Sequence, residues 1–157
     1  MITIGFIGTG LMGLPMAKNI LKSGFKLKAF NRSIEKAEPL KEFGAEVSKS
    51  ISDVVKDSDF IITMLTDDSA VDAITSSTDF LDNLKSGSTV IDMSSVKPTT
   101  AIKHRENLKS KNVNYLDAPV SGGTIGAEEA SLAIMVGGEQ SVFDNSEKIL
   151  KTMGNPT

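Results

Sequence analysis

Gly8-Thr9-Gly10-Leu11-Met12-Gly13 sets three glycines in a G-x-G-x-x-G spacing. An apolar run, Ile2–Ile7, precedes them, and Leu11–Lys22 follows with Leu14, Ala17, Ile20 and Leu21 at helical intervals. The first glycine of such a spacing permits a tight turn. The second lets a pyrophosphate approach the backbone, and the third lets the helix pack closely on the strand. The start of that helix offers unpaired N–H groups and the positive end of its dipole. Glycine turns also serve structure alone. The position between a strand and a helix is what predicts a dinucleotide cradle at Gly8, Gly10, Leu11, Met12 and Gly13.

The end of the next apolar segment, Lys26–Phe30, decides which dinucleotide. A carboxylate at that edge would accept from a ribose 2′-hydroxyl and select NAD. Here Phe30-Asn31-Arg32-Ser33 has no carboxylate until Glu35. Arg32 can pair with a 2′-phosphate and stack on adenine, while Asn31 and Ser33 can donate hydrogen bonds. The segment therefore predicts NADP over NAD. The competing reading makes Arg32 a cap on a surface turn.

Three further segments carry polar groups at strand ends. Met64-Leu65-Thr66-Asp67 and Met93-Ser94-Ser95-Val96-Lys97-Pro98 would face the nicotinamide half of a dinucleotide, with Ser95 donating toward ribose or ring. Ser94 and Ser95 could equally cap the helix that opens at Pro98. In Asp117-Ala118-Pro119-Val120-Ser121-Gly122-Gly123, Ser121, Gly122 and Gly123 form either a small anion-binding concavity suited to a substrate carboxylate or an ordinary turn. His104, flanked by Lys103, Arg105 and Glu106, is expected on a solvated surface, as is the Lys22–Lys28 basic cluster. Tyr115 and the seven methionines are expected in packing.

Short β-branched runs alternating with helical patterns must position these segments. Strands are expected at Ile2–Ile7, Lys26–Phe30, Ala45–Val47, Asp59–Leu65, Thr89–Met93, Val113–Asp117 and Leu132–Val136. Helices are expected at Leu11–Lys22, Ser33–Phe43 (kinked or shortened by Pro39), Ile51–Lys56, Asp67–Thr75, Thr99–Lys109 after Pro98, and Ser141–Met153. The alternation predicts a Rossmann-like, doubly wound α/β fold with a mainly parallel sheet, as a single domain over 1–157. Ligands of such sheets bind beyond the carboxyl ends of the strands, where the unusual segments fall.

Composition narrows the function classes. The chain has 157 residues, of which 39% are hydrophobic and 24% charged, with 17 basic against 20 acidic residues and a net charge of −3. No basic block is present to neutralise phosphates, so neither nucleic acid nor a membrane surface is an expected partner. Absence of cysteine removes disulfides and thiolate chemistry, and one histidine leaves little for a metal site. Residues 1–17 are uncharged but lack a basic flank and are broken by glycines and Pro15, so a cytoplasmic location is expected.

Together, GFIGTGLMGLPMAKNI, FNRS, DFIITMLTDD, VIDMSSVKP and DAPVSGG resemble the amino-terminal half of the β-hydroxyacid dehydrogenase family, which includes 3-hydroxyisobutyrate dehydrogenase, glyoxylate/succinic semialdehyde reductases and 6-phosphogluconate dehydrogenase. The resemblance spans essentially all of the chain. It implies that Gly8, Gly10, Leu11, Met12 and Gly13 hold the pyrophosphate, and that Asn31, Arg32 and Ser33 surround the adenosine ribose phosphate. It also implies that Leu65, Thr66 and Ser95, beside Met64, touch the nicotinamide half, and that Ser121, Gly122 and Gly123 bind the substrate carboxylate. The implied chemistry is reversible hydride transfer between NAD(P) and a short 3-hydroxy acid or its semialdehyde or keto partner. Two departures stand out. Ala130-Ser131 replaces a Gly-Thr common in the family, and the family's catalytic lysine belongs to a helix beyond Thr157. No catalytic residue is therefore assigned. The chain is expected to bind coenzyme but turn over poorly without the family's helical domain, through which the parent would form a homo-oligomer. The alternative is a stand-alone NADP-binding sensing or interaction module.

Overall fold

Six short strands with buried, mostly β-branched or aromatic residues assemble side by side: β1 (Thr3–Ile7), β2 (Lys26–Phe30), β3 (Glu46–Val47), β4 (Phe60–Thr63), β5 (Thr89–Asp92) and β6 (Asn114–Asp117). The computed structural model describes residues 2–157. All five pairings are parallel, in the order β3-β2-β1-β4-β5-β6. Parallel neighbours require crossovers, and these are supplied by α1 (Gly13–Lys22), α2 (Ile51–Val55), α3 (Asp68–Thr75), α4 (Thr78–Leu81) and α5 (Pro98–Lys109). The strand order reverses at β1 and β4, which opens a crevice at their carboxyl ends.

Alternation along the strands divides the interior into two cores. Ile4 and Phe6 point to the face covered by Met16, Ala17 and Ile20 of α1; Ile7, Ile61 and Val90 point to the face covered by Val54, Val55, Ala101 and Leu108. Ile20 is fully buried. Truncating such a side chain to alanine costs about 2–5 kcal/mol, so α1 is held by its apolar stripe.

A second, smaller sheet was not anticipated. β7 (Val120–Ser121), β8 (Leu132–Ile134) and β9 (Gly154–Pro156) lie in that order, β7 antiparallel and β9 parallel to β8. With α6 (Gly123–Glu129) and α7 (Gln140–Leu150), it contributes Leu132, Ile134, Ile149, Leu150 and Met153 to the α1-side core. The chain is thus one α/β domain with a main parallel sheet and a packed appendage. Asn19 of α1 joins the two by donating from Nδ2 to Ala127 O at 2.8 Å.

Several expectations are corrected. The helix expected over Ser33–Phe43 is two 3-10 turns, Ile34–Lys36 and Glu38–Phe43, because Pro39 cannot donate an interior helical bond. His104 is not a surface residue; it is 1% exposed on the inner face of α5. Thr75 Oγ1 donates to Val71 O at 2.7 Å and lies against the His104 ring, 2.9 Å from Nδ1 and 3.1 Å from Nε2. Lys28 also leaves the solvent: its ammonium donates to Asp53 O at 2.7 Å and Lys56 O at 2.6 Å, closing the carboxyl end of α2. Met16, Met93 and Met153 pack in the core as expected, but Met135 is half exposed, and Met1 lies outside the described residues.

Candidate functional site

The glycine turn leaves β1 at Gly8, whose φ of +103° suits a residue without a side chain. A Cβ on Gly8 would collide with Met64 O, and one on Gly13 would collide with Gly8 O. These two glycines therefore bring β1, β4 and α1 into direct backbone contact. Gly10 differs. Among the described residues nothing lies within 4 Å of where its Cβ would be, so the surrounding structure does not require a glycine there. An incoming group that uses the space would.

The turn is also poor in internal partners. α1 has no side-chain cap, its cap position being Met12. The amides of Gly10, Leu11 and Met12 donate to no protein oxygen among the described residues, and Thr9 Oγ1 is buried without a partner. Unpaired donors at the start of a helix of this length form an anion cradle. Their direction is set from the next strand: Gly8 N donates to Phe30 O at 2.9 Å, and Thr9 N donates to Asn31 Oδ1 at 2.9 Å. Asn31 is itself braced by Nδ2 donating to Ser33 O at 2.9 Å. Asn31 thus acts as a strut between the turn and the end of β2, a role its side-chain amide did not reveal in sequence.

Arg32 is exposed and, among the described residues, forms neither a hydrogen bond nor an ion pair. The turn-capping alternative has no bond to support it. Beside the glycine turn lies a cavity of about 500 Å³ lined by Thr9, Gly10, Leu11, Lys18, Lys36 and Glu128, among others. Sequence reasoning missed Lys36. Its signal lay within the segment expected as a helix from Ser33, where Lys36 follows Arg32 by four residues.

Across the crevice, the ends of β4 and β5 are tied together. Thr63 Oγ1 donates to Asp92 Oδ1 at 2.9 Å, Ser94 N donates to the same oxygen at 3.1 Å, and Leu65 N donates to Ser94 Oγ at 2.8 Å. Farther out, Asp68 accepts from Lys97 N at 2.9 Å and Thr100 Oγ1 at 2.6 Å. Those two bonds, Thr100 first, hold its carboxyl below the usual range. Ser94 is therefore a strand-to-strand bridge rather than a cap for α5; the cap position is Lys97, and its amide is taken by Asp68. Met64 and Leu65 are half-buried, whereas Thr66 and Ser95 are exposed at the crevice rim.

Asp92 is buried, and burial pushes its carboxyl upward against the lowering effect of the Ser94 and Thr63 hydrogen bonds. It pairs in register with Asp117 of β6, which is also raised by burial. Ser121, Gly122 and Gly123 follow β6, exposed, where β7 passes into α6; Gly122 and Gly123 both have positive φ, +142° and +63°. The parallel sheet thus brings segments 8–13, 31–33, 64–66 and 94–95 to one edge, while 121–123 pass from the second sheet into α6. Such an arrangement can hold an extended, doubly charged ligand across the switch point.

Residues 3–157 match the family of the NAD-binding domain of 6-phosphogluconate dehydrogenase. The chain is 44% identical over 153 residues to the uncharacterized oxidoreductase YkwC of Bacillus subtilis, covering 97% of this chain and 53% of that protein. A structure of Mycobacterium tuberculosis 3-hydroxyisobutyrate dehydrogenase with L-serine superposes with a TM-score of 0.95 at 34% identity, covering 100% of this chain and 54% of that one. Psf3 in complex with NADP+ and 2-OPP superposes with a TM-score of 0.93 at 28% identity, covering 98% and 55%. The chain belongs to the β-hydroxyacid dehydrogenase family, whose NAD(P)-binding domain it constitutes. It spans about half the length of the relatives it matches.

Proposed function

We propose that this chain is the NADP-binding domain of an oxidoreductase that moves hydride between NAD(P) and a short 3-hydroxy acid or its semialdehyde or keto partner. The observation that carries the coenzyme reading is the pairing of an open cradle at Gly10–Met12 with an unpartnered Arg32 at the neighbouring strand end. Gly8, Gly10, Leu11, Met12 and Gly13 hold the pyrophosphate, the open amides of Gly10, Leu11 and Met12 supplying the donors. Asn31 orients the turn, and Arg32 and Ser33 take the 2′-phosphate, with Lys36 adding positive charge from the adjoining cavity. Met64, Leu65, Thr66 and Ser95 border the nicotinamide end. When bound, the coenzyme supplies a hydride acceptor or donor at its nicotinamide ring.

Ser121, Gly122 and Gly123 bind the substrate carboxylate: two glycines at positive φ expose main-chain donors beside a hydroxyl. The M. tuberculosis relative with L-serine, a small carboxylate, supports that substrate class. Proton transfer from the substrate hydroxyl needs a base, and no residue of this chain is assigned that role. The chain alone is expected to bind coenzyme without turnover on 3-hydroxy acids, and in the whole protein the helical domain would supply the missing base and the contacts between subunits.

Titration with NADP and NAD tests the coenzyme assignment. NADP is expected to bind more tightly, and Arg32→Ala to weaken NADP by roughly 10- to 100-fold, the equivalent of a charge-assisted hydrogen bond, while leaving NAD nearly unchanged. Tighter binding of NAD by the unmodified protein overturns the assignment.

A further inference from the structure

The tie between β4 and β5 is built from hydrogen bonds in which neither the glycine turn nor Arg32 takes part. Thr63 and Asp92 face one another in register on adjacent strands, and both are buried. A single carboxylate oxygen, Asp92 Oδ1, receives the Thr63 hydroxyl and the Ser94 amide, which fixes where the Ser94 side chain can go. Ser94, itself fully buried, then presents Oγ to the Leu65 amide at 2.8 Å. Without that acceptor, Leu65 N would be a part-buried donor at the point where the chain leaves β4 for the crevice rim. An unsatisfied donor there drives the backbone to a different path.

We propose that Asp92 and Ser94 are positioning residues that set the Leu65–Thr66 main chain to receive the nicotinamide end of the coenzyme. The inference rests on the coenzyme reading above. Neither side chain meets the ligand: Asp92 orders Ser94, Ser94 orders Leu65, and Leu65 with Thr66 forms the wall. Asp68, by holding Lys97 N and Thr100 Oγ1, keeps the outer ends of the same two loops together, so the wall is anchored at both ends. The adenosine side is braced separately through Asn31 and shares none of these bonds.

That separation supplies the test. The unmodified protein, Ser94→Ala, Asp92→Ala and Asp92→Asn are titrated with NADPH and with adenosine 2′,5′-bisphosphate, following reduced-nicotinamide fluorescence and thermal midpoint. Ser94→Ala and Asp92→Ala are expected to weaken NADPH about tenfold, the fold-change of one net hydrogen bond, and to alter bound-nicotinamide fluorescence while the bisphosphate affinity stays unchanged. Asp92→Asn keeps an oxygen for Thr63 and Ser94 and is expected to stay within about threefold of the unmodified protein. An unchanged NADPH-to-bisphosphate affinity ratio in Ser94→Ala overturns the proposal, as does equal weakening of both ligands. Should Asp92→Ala fail to fold, Ser94→Ala, the smaller deletion, decides alone. Failure of the unmodified protein to bind the bisphosphate overturns the coenzyme reading and the proposal with it, a result distinct from either variant outcome.

Discussion

At the carboxyl ends of β1 and β2, donors and a guanidinium have no partner among the described residues; at the ends of β4 and β5, the polar groups are tied to one another. Gly10, Leu11, Met12 and Arg32 belong to the first region, and Thr63, Asp92, Ser94, Leu65, Asp68 and Lys97 to the second. The difference fits what each side would receive. Phosphates carry charge and supply their own acceptors, so donors left open there lose little in water and gain a strong partner on binding. A nicotinamide ring brings a largely flat, weakly charged face, and a wall of fixed shape serves it better than loose polar groups.

The largest predicted effect would break the rigid frame on which the open side depends. Gly13→Ala places a methyl group against the Gly8 carbonyl, a backbone atom that cannot rotate away. A loss of about 3 kcal/mol is expected, at the upper end of overpacking costs, read as a shift in the urea midpoint. Gly10→Ala sharpens the contrast, because its added methyl meets nothing within 4 Å. Stability should change by no more than about 0.5 kcal/mol, while NADP affinity falls by about tenfold as the phosphate loses its approach. A Gly10→Ala protein that binds NADP normally would show that the free space serves no ligand.

The tied side should respond to pH from beneath. Burial lowers the pKa of His104, against the raising influence of Asp72, Asp92 and Asp68. Its folded-state value thus lies below its unfolded value of about 6.5, and the unfolded chain binds the extra proton. Stability is full above that unfolded value and declines as pH falls through it toward the folded value. Urea midpoints at pH 7.5 and 5.5 should therefore differ more for the unmodified protein than for His104→Gln. Asp92 and Asp117, raised by burial, act in the opposite sense, and the variant comparison removes their common contribution. The smallest effect is expected outside both regions. Ala130 sits in the left-handed region with φ 56° at the end of α6, so Ala130→Gly should gain about 0.5–1 kcal/mol in the same unfolding assay.

Much of the main sheet was legible because its signals are local. β2 falls at Lys26–Phe30 as expected, and the alternation of apolar runs with helical patterns correctly implied a parallel sheet. The second sheet was not legible: β7 has only two residues, and β9 is Gly-Asn-Pro, whose pairing partner Leu132–Ile134 lies more than twenty positions away. His104 misled through its charged neighbours. Its periodicity held the answer, since Ala101, His104 and Leu108 recur at helical spacing and are all buried. At the site, residue types singled out the glycine turn and Arg32, whose open amides and exposed side chain the structure describes. They did not disclose that Asn31 braces the turn, or that Ser94 rather than Ser95 bridges two strands, because adjacent serines differ only in which way each strand end turns them.

Arg32 has a consequence for how such a protein changes over generations. It is exposed at the end of β2 and, among the described residues, makes no hydrogen bond or ion pair. Replacing it with an acidic residue would cost the architecture almost nothing while inverting the charge at the end of β2. On the coenzyme reading proposed above, selection between the two nicotinamide carriers would rest on a few lightly constrained positions led by Arg32, which lineages could alter without rebuilding what lies underneath.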